Sequence, residues 1–411
     1  MGKVRFMKWT RKQKSQDQDK MRILHLGKYF PPVAGGIENF LCDLISAQNR
    51  AGIDASAIVH SHPSDKINTG FKTSFNVWRV PCCGSLIYAP VCPGFPFALN
   101  RAISIFKPDI LHLHMPNTSA FWVMADSSAR KIPWVVHWHS DVAPSSIDRR
   151  INFAYKFYRP FEQRLLKNCS LILTTSPFYQ KYSRALSPWI DKCRPVPLGL
   201  NPCRLKKSAS HTKNRAKRIW GNKSFRVLAI GRLTYYKGHD ILIKATAVLP
   251  GIKVIIAGEG GLRIKLEKII NTLGLQNKVR LTGHLKEDDL CALLETCDCL
   301  CLPSLERTEA FGLVILEAMR FAKPVVASNI NGSGIGWAVR HKETGLLVNP
   351  GDIGELADAL RLLSNSPETL KNMAGSAVNR FNNVFHIDRI TEKTAIYYRE
   401  VLGGCYYPCL E

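Results

Sequence analysis

Acidic residues are scarce in this chain: 32 Asp and Glu stand against 57 Lys and Arg in 411 residues, a formal net charge of +25. Such an excess calls for an anionic partner, either nucleic acid or a membrane surface. Nucleic acid is disfavoured, because zinc-finger spacing, an RNP-type aromatic motif and a helix-turn-helix signature are all missing. Long apolar runs are missing too, and none reaches the roughly 18–20 residues that cross a bilayer. The first twenty residues lack the apolar segment of a secretory signal, and Phe6 stands where a myristoylation signal has Ser or Thr. The expected location is therefore cytoplasmic. The 13 cysteines form no framework. Cys82 and Cys83 are adjacent, while Cys297, Cys299 and Cys301 alternate along an expected strand and so share one face rather than converging as a C-x-x-C knuckle does. Buried reduced thiols are expected there, and no metal.

The positive charge is concentrated. The leader before Met21 carries seven Lys or Arg against two Asp. Met21 is itself a candidate start, in which case residues 1–20 are not native and the charge falls by five, to +20. Residues 201–223 contain basic residues and no acid. Between Asp148 and Lys167, Arg149, Arg150, Lys156, Arg159, Arg164 and Lys167 interleave with Phe153, Tyr155, Phe157, Tyr158 and Phe161. Basic residues mixed with aromatics at near-helical spacing suit an interfacial helix against acidic headgroups. The alternative is a surface helix whose aromatics face the core.

A chain of this length exceeds the size at which a single core usually stops growing, so two domains are expected. One pattern occurs twice. MRILHLGKYFPPVAGGIENFLCDLISAQNRAG, from Met21, is an apolar strand, a Gly- and Pro-containing loop and an amphipathic helix; FRVLAIGRLTYYKGHDILIKATAVLPG repeats that order from Phe225. Each reads as the opening βα unit of a doubly wound domain. Further strands are expected at DASAIVH, FNVWRV, PDILHLH, PWVVHWH and LILTTS in the first half, and at IKVIIAG, VRLTGH, CDCLCLP and PVVAS in the second. The pattern predicts two parallel sheets covered on both faces, with ligands at the carboxyl ends of the strands. The expected division is 21–200, a basic linker 201–223, and 224–389, with the site in the cleft between the halves.

The most informative stretch is EAFGLVILE, Glu309 to Glu317. The preceding strand stops at Pro303, and the pattern after Gly312 is helical. Eight steps of ideal helix turn a side chain by roughly 800°, so two wholly helical glutamates would not share a face. They converge only if Glu309 is in the loop and Glu317 about one turn into the helix. The free amides of Phe311, Gly312 and Leu313 then lie between them, where a helix start attracts phosphate. Carboxylates beside a phosphate make sense if they bind hydroxyls, as a ribose and a hexose offer. The plainer alternative is a helix-start acid complementing the macrodipole and a solvated glutamate one turn on.

Other residues fit that reading. Arg232 and Lys237 follow a strand and a glycine, and two cations beside a helix start suit a diphosphate; the plainer alternative is two solvated surface cations near a turn. Arg232 offers a planar fork and Lys237 a mobile point charge. Gly35 and Gly36 allow the loop to approach a ligand closely, and Glu38 beyond them reads as a dipole-complementing acid. His139 follows the VVHW strand at its carboxyl end, with His137 on the same face as its rival. Asp141 either orients His139 or binds an acceptor hydroxyl.

These segments occur in order with WHSD at Trp138–Asp141, GRLTYYKG at Gly231–Gly238, KPVVAS at Lys323–Ser328 and TGLLVNPGD at Thr344–Asp352. Together they resemble retaining glycosyltransferases of family 4, with the GT-B fold of two Rossmann-like domains. The likeness runs from Met21 to about Tyr398. KYFPP, WHSD, LPS-x-x-R-x-EAFG and a following GSG resemble the bacterial mannosyl- and glucosyltransferase branch that builds surface polysaccharides.

The resemblance implies that the last helix, expected within 390–411, crosses back onto the first domain. It implies that Gly36 lies near the diphosphate with Gly35 towards the acceptor, and that His139 touches the transferred sugar. It sets Glu309 near the reacting sugar, its role open between positioning and chemistry, and Glu317 on the ribose diol. The expected donor is GDP-mannose or a UDP-hexose, and the expected acceptor a lipid-linked oligosaccharide of O-antigen, capsule or exopolysaccharide. The expected mechanism is metal-independent, substrate-assisted front-face substitution, catalysed by positioning and electrostatics. The expected place is the inner face of the cytoplasmic membrane. A GT-B sugar-nucleotide epimerase and a non-catalytic basic GT-B scaffold are the alternatives.

Overall fold

Segments rich in Val, Ile and Leu alternate with amphipathic helices along the chain, and the buried segments pair as parallel strands because each crossover helix returns the chain to the same end of the sheet. The computed structural model describes residues 20–33, 35–62, 73–87, 89–142, 149–221 and 224–403. The leader through residue 19, Asp148, residues 222–223 and residues 404–411 lie outside the described residues.

The first half contributes β1 (Arg22–Leu26), β2 (Asp54–His60), β3 (Val77–Val80), β4 (Gly84–Leu86), β5 (Ala89–Val91), β6 (Ile110–Met115), β7 (Trp134–Trp138), β8 (Leu171–Thr174) and β9 (Cys193–Pro195). Seven of these form one parallel sheet in the order β3-β2-β1-β6-β7-β8-β9, and β4 pairs with β5 as a separate antiparallel hairpin. The second half contributes β10 (Phe225–Ile230), β11 (Ile252–Ala257), β12 (Val279–Gly283), β13 (Cys299–Leu302), β14 (Val325–Ser328) and β15 (Gly345–Val348). They pair, all parallel, as β12-β11-β10-β13-β14-β15. The strand order reverses at β1/β6 in one sheet and at β10/β13 in the other, the crevices where ligands of such sheets bind. Both halves are Rossmann-like, as the doubled βα pattern predicts. The hairpin and the three-residue β9 were not expected, being too short to carry a period.

Two sequence expectations need correction. The segment 201–223 is not a linker throughout. Ser210–Trp220 is a helix seated on the helix Glu287–Thr296, whose first turn is acidic. There Lys213 Nζ lies 2.5 Å from Glu295, Arg215 pairs with Asp289, and the buried Trp220 indole donates to Thr296 Oγ1 at 2.9 Å. Lys213 and Arg215 are thus matched by acids of the protein itself. Cys297 does not share a face with Cys299 and Cys301: it precedes β13 and packs in a different apolar cluster from theirs.

The last helix, Ile387–Val401, lies across Gly36–Arg50, the first helix of the opposite half. Gln48 Nε2 donates to the buried Tyr398 hydroxyl at 3.0 Å, and Arg50 pairs with Asp388 at 3.0 Å.

Candidate active site

On the second half, the turn from β13 into the helix Leu313–Arg320 depends on Gly312. Its φ is +76°, and a Cβ there would stand 2.7 Å from Leu302 Cδ2. Glu309 therefore stays in the loop and Glu317 sits one turn into the helix, the geometry the spacing requires. Ser333 of the GSG run fixes the loop, its hydroxyl donating to the Glu309 carbonyl at 2.5 Å. The Glu309 carboxylate is buried and meets Lys237 Nζ at 2.5 Å, with the Ser304 hydroxyl donating to the same oxygen at 3.2 Å. Lys237 reaches it by passing over Gly231, where a Cβ would lie 3.0 Å from Lys237 Cε. Arg232 stays exposed, one guanidinium nitrogen 3.2 Å from the Tyr236 hydroxyl. The two cations therefore differ: one is buried on a carboxylate, the other stands open at the cleft.

The first half supplies the facing wall. Gly36 opens its helix directly opposite Leu313, and a Cβ on Gly36 would lie 3.6 Å from Leu313 Cβ. Two helix starts, one from each half, thus meet side by side, each with unpaired amides. The Glu38 side chain folds back over Gly35 within reach of Lys28 and Arg232. Burial pushes its carboxyl up, and those two cations pull it back. The same burial lowers Lys28, with Glu38 opposing that shift. Glu38 is therefore more than a dipole complement, since it joins the first half to Arg232 of the second. Three cations beside two adjoining helix starts can hold a diphosphate.

Glu317 is placed differently. Its Oε1 lies 3.5 Å from Arg204 Nη2, and Arg204 also reaches Asp43 Oδ2 at 3.3 Å and Glu287 at 3.7 Å. Asp43 belongs to the helix Gly36–Arg50 and accepts the Asn201 amide at 3.0 Å. Burial raises Asp43 to about 6 although Arg204 draws it down. One arginine from the connecting segment thus ties the carboxylate expected on a ribose to the opposite half.

His139 follows β7 and is buried, its ring stacked on His137 with centroids 4.4 Å apart. Both share a face, as strand alternation predicts. His139 Nε2 lies 2.8 Å from His114 Nδ1. Burial pushes His139 down to about 3, so the ring is neutral at physiological pH. Asp141 does not orient it. The Asp141 carboxylate accepts from the Trp138 indole at 2.8 Å and the Ser183 hydroxyl at 2.6 Å, and pairs with Arg307 of the opposite half at 3.1 Å. With those partners it acts as a cross-cleft tie, and the expectation that it orients His139 is corrected.

Lys28, Arg204 and Arg307 carried no role in the sequence reading. Lys28 lies in KYFPP and Arg307 in LPS-x-x-R-x-EAFG, so both were inside recognised motifs. Arg204 had only a charge run around it, which gives no hint of three acidic partners from distant elements.

Comparisons with known proteins show the family and the fold. Residues 35–199 match the "Glycosyl transferase 4-like domain" model and residues 210–380 the "Glycosyl transferases group 1" model. The chain is 30% identical over 385 residues to the O-antigen chain mannosyltransferase C of Escherichia coli, covering 93% of this chain and 99% of that one. It is 29% identical over 381 residues to the D-rhamnosyltransferase WbpZ of Pseudomonas aeruginosa, covering 89% and 92%. Among solved structures it is similar to HepE of Anabaena in complex with UDP and glucose, at a TM-score of 0.71 and 24% identity, covering 93% and 99%. It is also similar to a sucrose-phosphate synthase of Thermosynechococcus elongatus, at 0.76 and 22%, covering 93% and 100%. At those identities the structures speak for the GT-B fold.

Proposed function

The chain belongs to glycosyltransferase family 4, and from that premise we propose that it is a retaining hexosyltransferase of surface-polysaccharide synthesis, an O-antigen, capsule or exopolysaccharide. The donor is a nucleoside diphosphate hexose, mannose from GDP-mannose first, and the acceptor is a lipid-linked oligosaccharide. The relatives named for O-antigen mannose and D-rhamnose transfer support the polysaccharide assignment.

The observation that carries the reading is the meeting of two helix starts at Gly36 and Leu313, with Lys28 and Arg232 gathered on Glu38 beside it and Lys237 on Glu309. A diphosphate at the rim of that contact meets two helix starts and three cations. The acceptor hydroxyl attacks the anomeric carbon on the face the diphosphate leaves. Its oxygen bonds to that carbon as the carbon–phosphate-oxygen bond breaks, and its proton passes to the departing phosphate oxygen. The protein stabilises the growing negative charge and positions the sugar. Glu309, neutralised by Lys237, is a positioning group for the sugar rather than a nucleophile. Glu317 takes the ribose diol and His139 a hydroxyl of the transferred sugar. Phosphate charge balanced by protein cations makes transfer metal-independent in this reading.

The acceptor's lipid places the enzyme on the cytoplasmic face of the membrane, as a peripheral protein. Among the described residues no helix is long and apolar enough to cross a bilayer. The helix Arg149–Asn168 exposes Phe153, Phe157 and Phe161 by 65%, 63% and 55%, at successive four-residue steps, with Arg150, Lys156, Arg159, Arg164 and Lys167 exposed around them. The alternative in which its aromatics all face the core is corrected by those three rings. A cationic helix with an unburied phenylalanine stripe supports an interfacial role.

Labelled GDP-mannose and UDP-hexoses incubated with the protein and bacterial membranes test the proposal. Label entering the lipid fraction is expected. Conversion of the donor to an epimer, without transfer, would replace the reading with an epimerase.

A further inference from the structure

One face of the first sheet is lined with imidazoles. His25 of β1, His112 and His114 of β6, His137 of β7 and His139 just beyond it are all buried. Strand register places His25 beside His112 and His114 beside His137. Burial holds His25 down to about 4 and keeps His112, His114 and His137 well below the ordinary value. Each ring is therefore neutral, with one donor and one acceptor nitrogen.

In such a ring the direction of one hydrogen bond dictates the next. His25 Nε2 lies 2.8 Å from Gln48 Oε1, His25 Nδ1 lies 3.0 Å from His114 Nε2, and His114 Nδ1 lies 2.8 Å from His139 Nε2. The centroids of His25 and His114 are 5.3 Å apart, and those of His114 and His139 5.1 Å. Each separation exceeds its N···N distance by the same 2.3 Å (5.3 − 3.0 and 5.1 − 2.8), as when each bond lies along the line between the ring centres. At its other end Gln48 donates from Nε2 to the Tyr398 hydroxyl at 3.0 Å, and that hydroxyl lies 2.5 Å from His112 Nδ1. With its amide nitrogen on Tyr398, Gln48 presents its oxygen to His25. His25 must then carry its proton on Nε2, and so must His114 and His139. What remains is His139 Nδ1, a lone pair that has no partner among the described residues.

We propose that Gln48 is a positioning residue that acts through His25 and His114 to hold His139 in the Nε2–H tautomer, so that Nδ1 accepts a hydrogen bond from a sugar hydroxyl. Tyr398, on the last helix, fixes the Gln48 amide, and so links that helix to the cleft. The opposite Gln48 orientation would reverse every bond and turn Nδ1 into a donor. A metal ion on His114, His137 and His139 fits the same cluster less well. His114 and His139 already share an N–H···N hydrogen bond at 2.8 Å, and their rings stack on that of His137 in near-parallel planes, whereas the lone pairs of metal ligands converge.

The meaning for catalysis rests on His139 facing the sugar, as proposed above, but the tautomer itself does not. The test is nitrogen-15 NMR of the full-length, histidine-labelled protein without substrate, with His139 assigned by loss of its signals in His139→Asn. The expected wild-type signature is protonated Nε2 and unprotonated Nδ1. Gln48→Glu, which as a carboxylate only accepts, should preserve it. Gln48→Met and the milder Tyr398→Phe should let His139 populate both tautomers, and kcat should fall about tenfold in Gln48→Met, the size of one ordinary hydrogen bond. A wild-type His139 protonated on Nδ1, or one unchanged in both Gln48→Met and Tyr398→Phe, would overturn the proposal. So would displacement of the His114, His137 and His139 signals by stoichiometric zinc chloride, which would assign a metal site instead. If the tautomer result holds while His139→Asn transfers normally, the sugar-facing reading fails and the relay stands.

Discussion

The two sheets share a fold but not an interior. β6 alternates leucine with histidine, and its histidines join those of β1 and β7 in a buried polar layer. β13, at the same place in the second sheet, alternates cysteine with leucine and packs wholly in apolar clusters. In the second half the polar chemistry lies beyond the strand ends, with Arg232, Lys237 and Glu309 held by turns and Glu317 one turn into a helix. In the first half it runs through the sheet, from Tyr398 on the last helix to His139 at the cleft. One half grips with its rim; the other reaches the cleft from its interior.

If the rim of the second half carries the leaving group, Lys237→Ala should lower kcat by about 10²–10³ with far-UV circular dichroism unchanged. A variant within a few-fold of wild type would remove Lys237 from the chemistry. Arg232→Lys keeps the charge but loses the planar fork, and a fall of about tenfold is expected. Glu317→Ala should raise the donor KM about tenfold with a smaller change in kcat, the signature of lost ground-state binding; an unaltered KM would detach Glu317 from the ribose.

Acid should separate the halves. His25 and His139 take up protons in the unfolded chain near pH 6.5 but in the folded one only near 4 and 3. Between those values the unfolded state binds more protons, so stability is intact above about 6.5 and is lost as pH falls. The slope is on the order of 1.4 kcal/mol per pH unit for each such histidine. The second half has His239, lowered to about 4 by burial, against six buried histidines lowered in the first, His60 among them. Hydrogen exchange at pH 5 should therefore open the first sheet before the second; the reverse order would contradict the contrast. The smallest effect concerns the membrane face. Phe153→Ser, Phe157→Ser and Phe161→Ser combined should release the protein from anionic vesicles with donor hydrolysis retained, and undiminished retention on them would exclude that helix as the contact.

Both sheets and the rim were legible in the sequence because each rests on local pattern. Apolar strands, turn glycines and the spacing of Glu309 and Glu317 are all read within a dozen residues. The ties across the molecule were not. Gln48 and Tyr398 are 350 residues apart, and Arg204 gathers Asp43, Glu287 and Glu317 from three helices. Asp141 misled for the same reason, since its proximity in sequence to His139 said nothing of Arg307. The histidines were visible one by one, as HLG, HLHM and HWH, but only strand order sets them side by side.

The measurement closest to the centre of this account is the stereochemical course of transfer, followed by proton NMR with GDP-mannose, a lipid-linked acceptor and excess chelator. A cleft of protein cations and a front-face substitution predict a product with the donor's anomeric configuration, formed at an undiminished rate. An inverted anomer, or transfer abolished by the chelator and restored by a divalent cation, would contradict it.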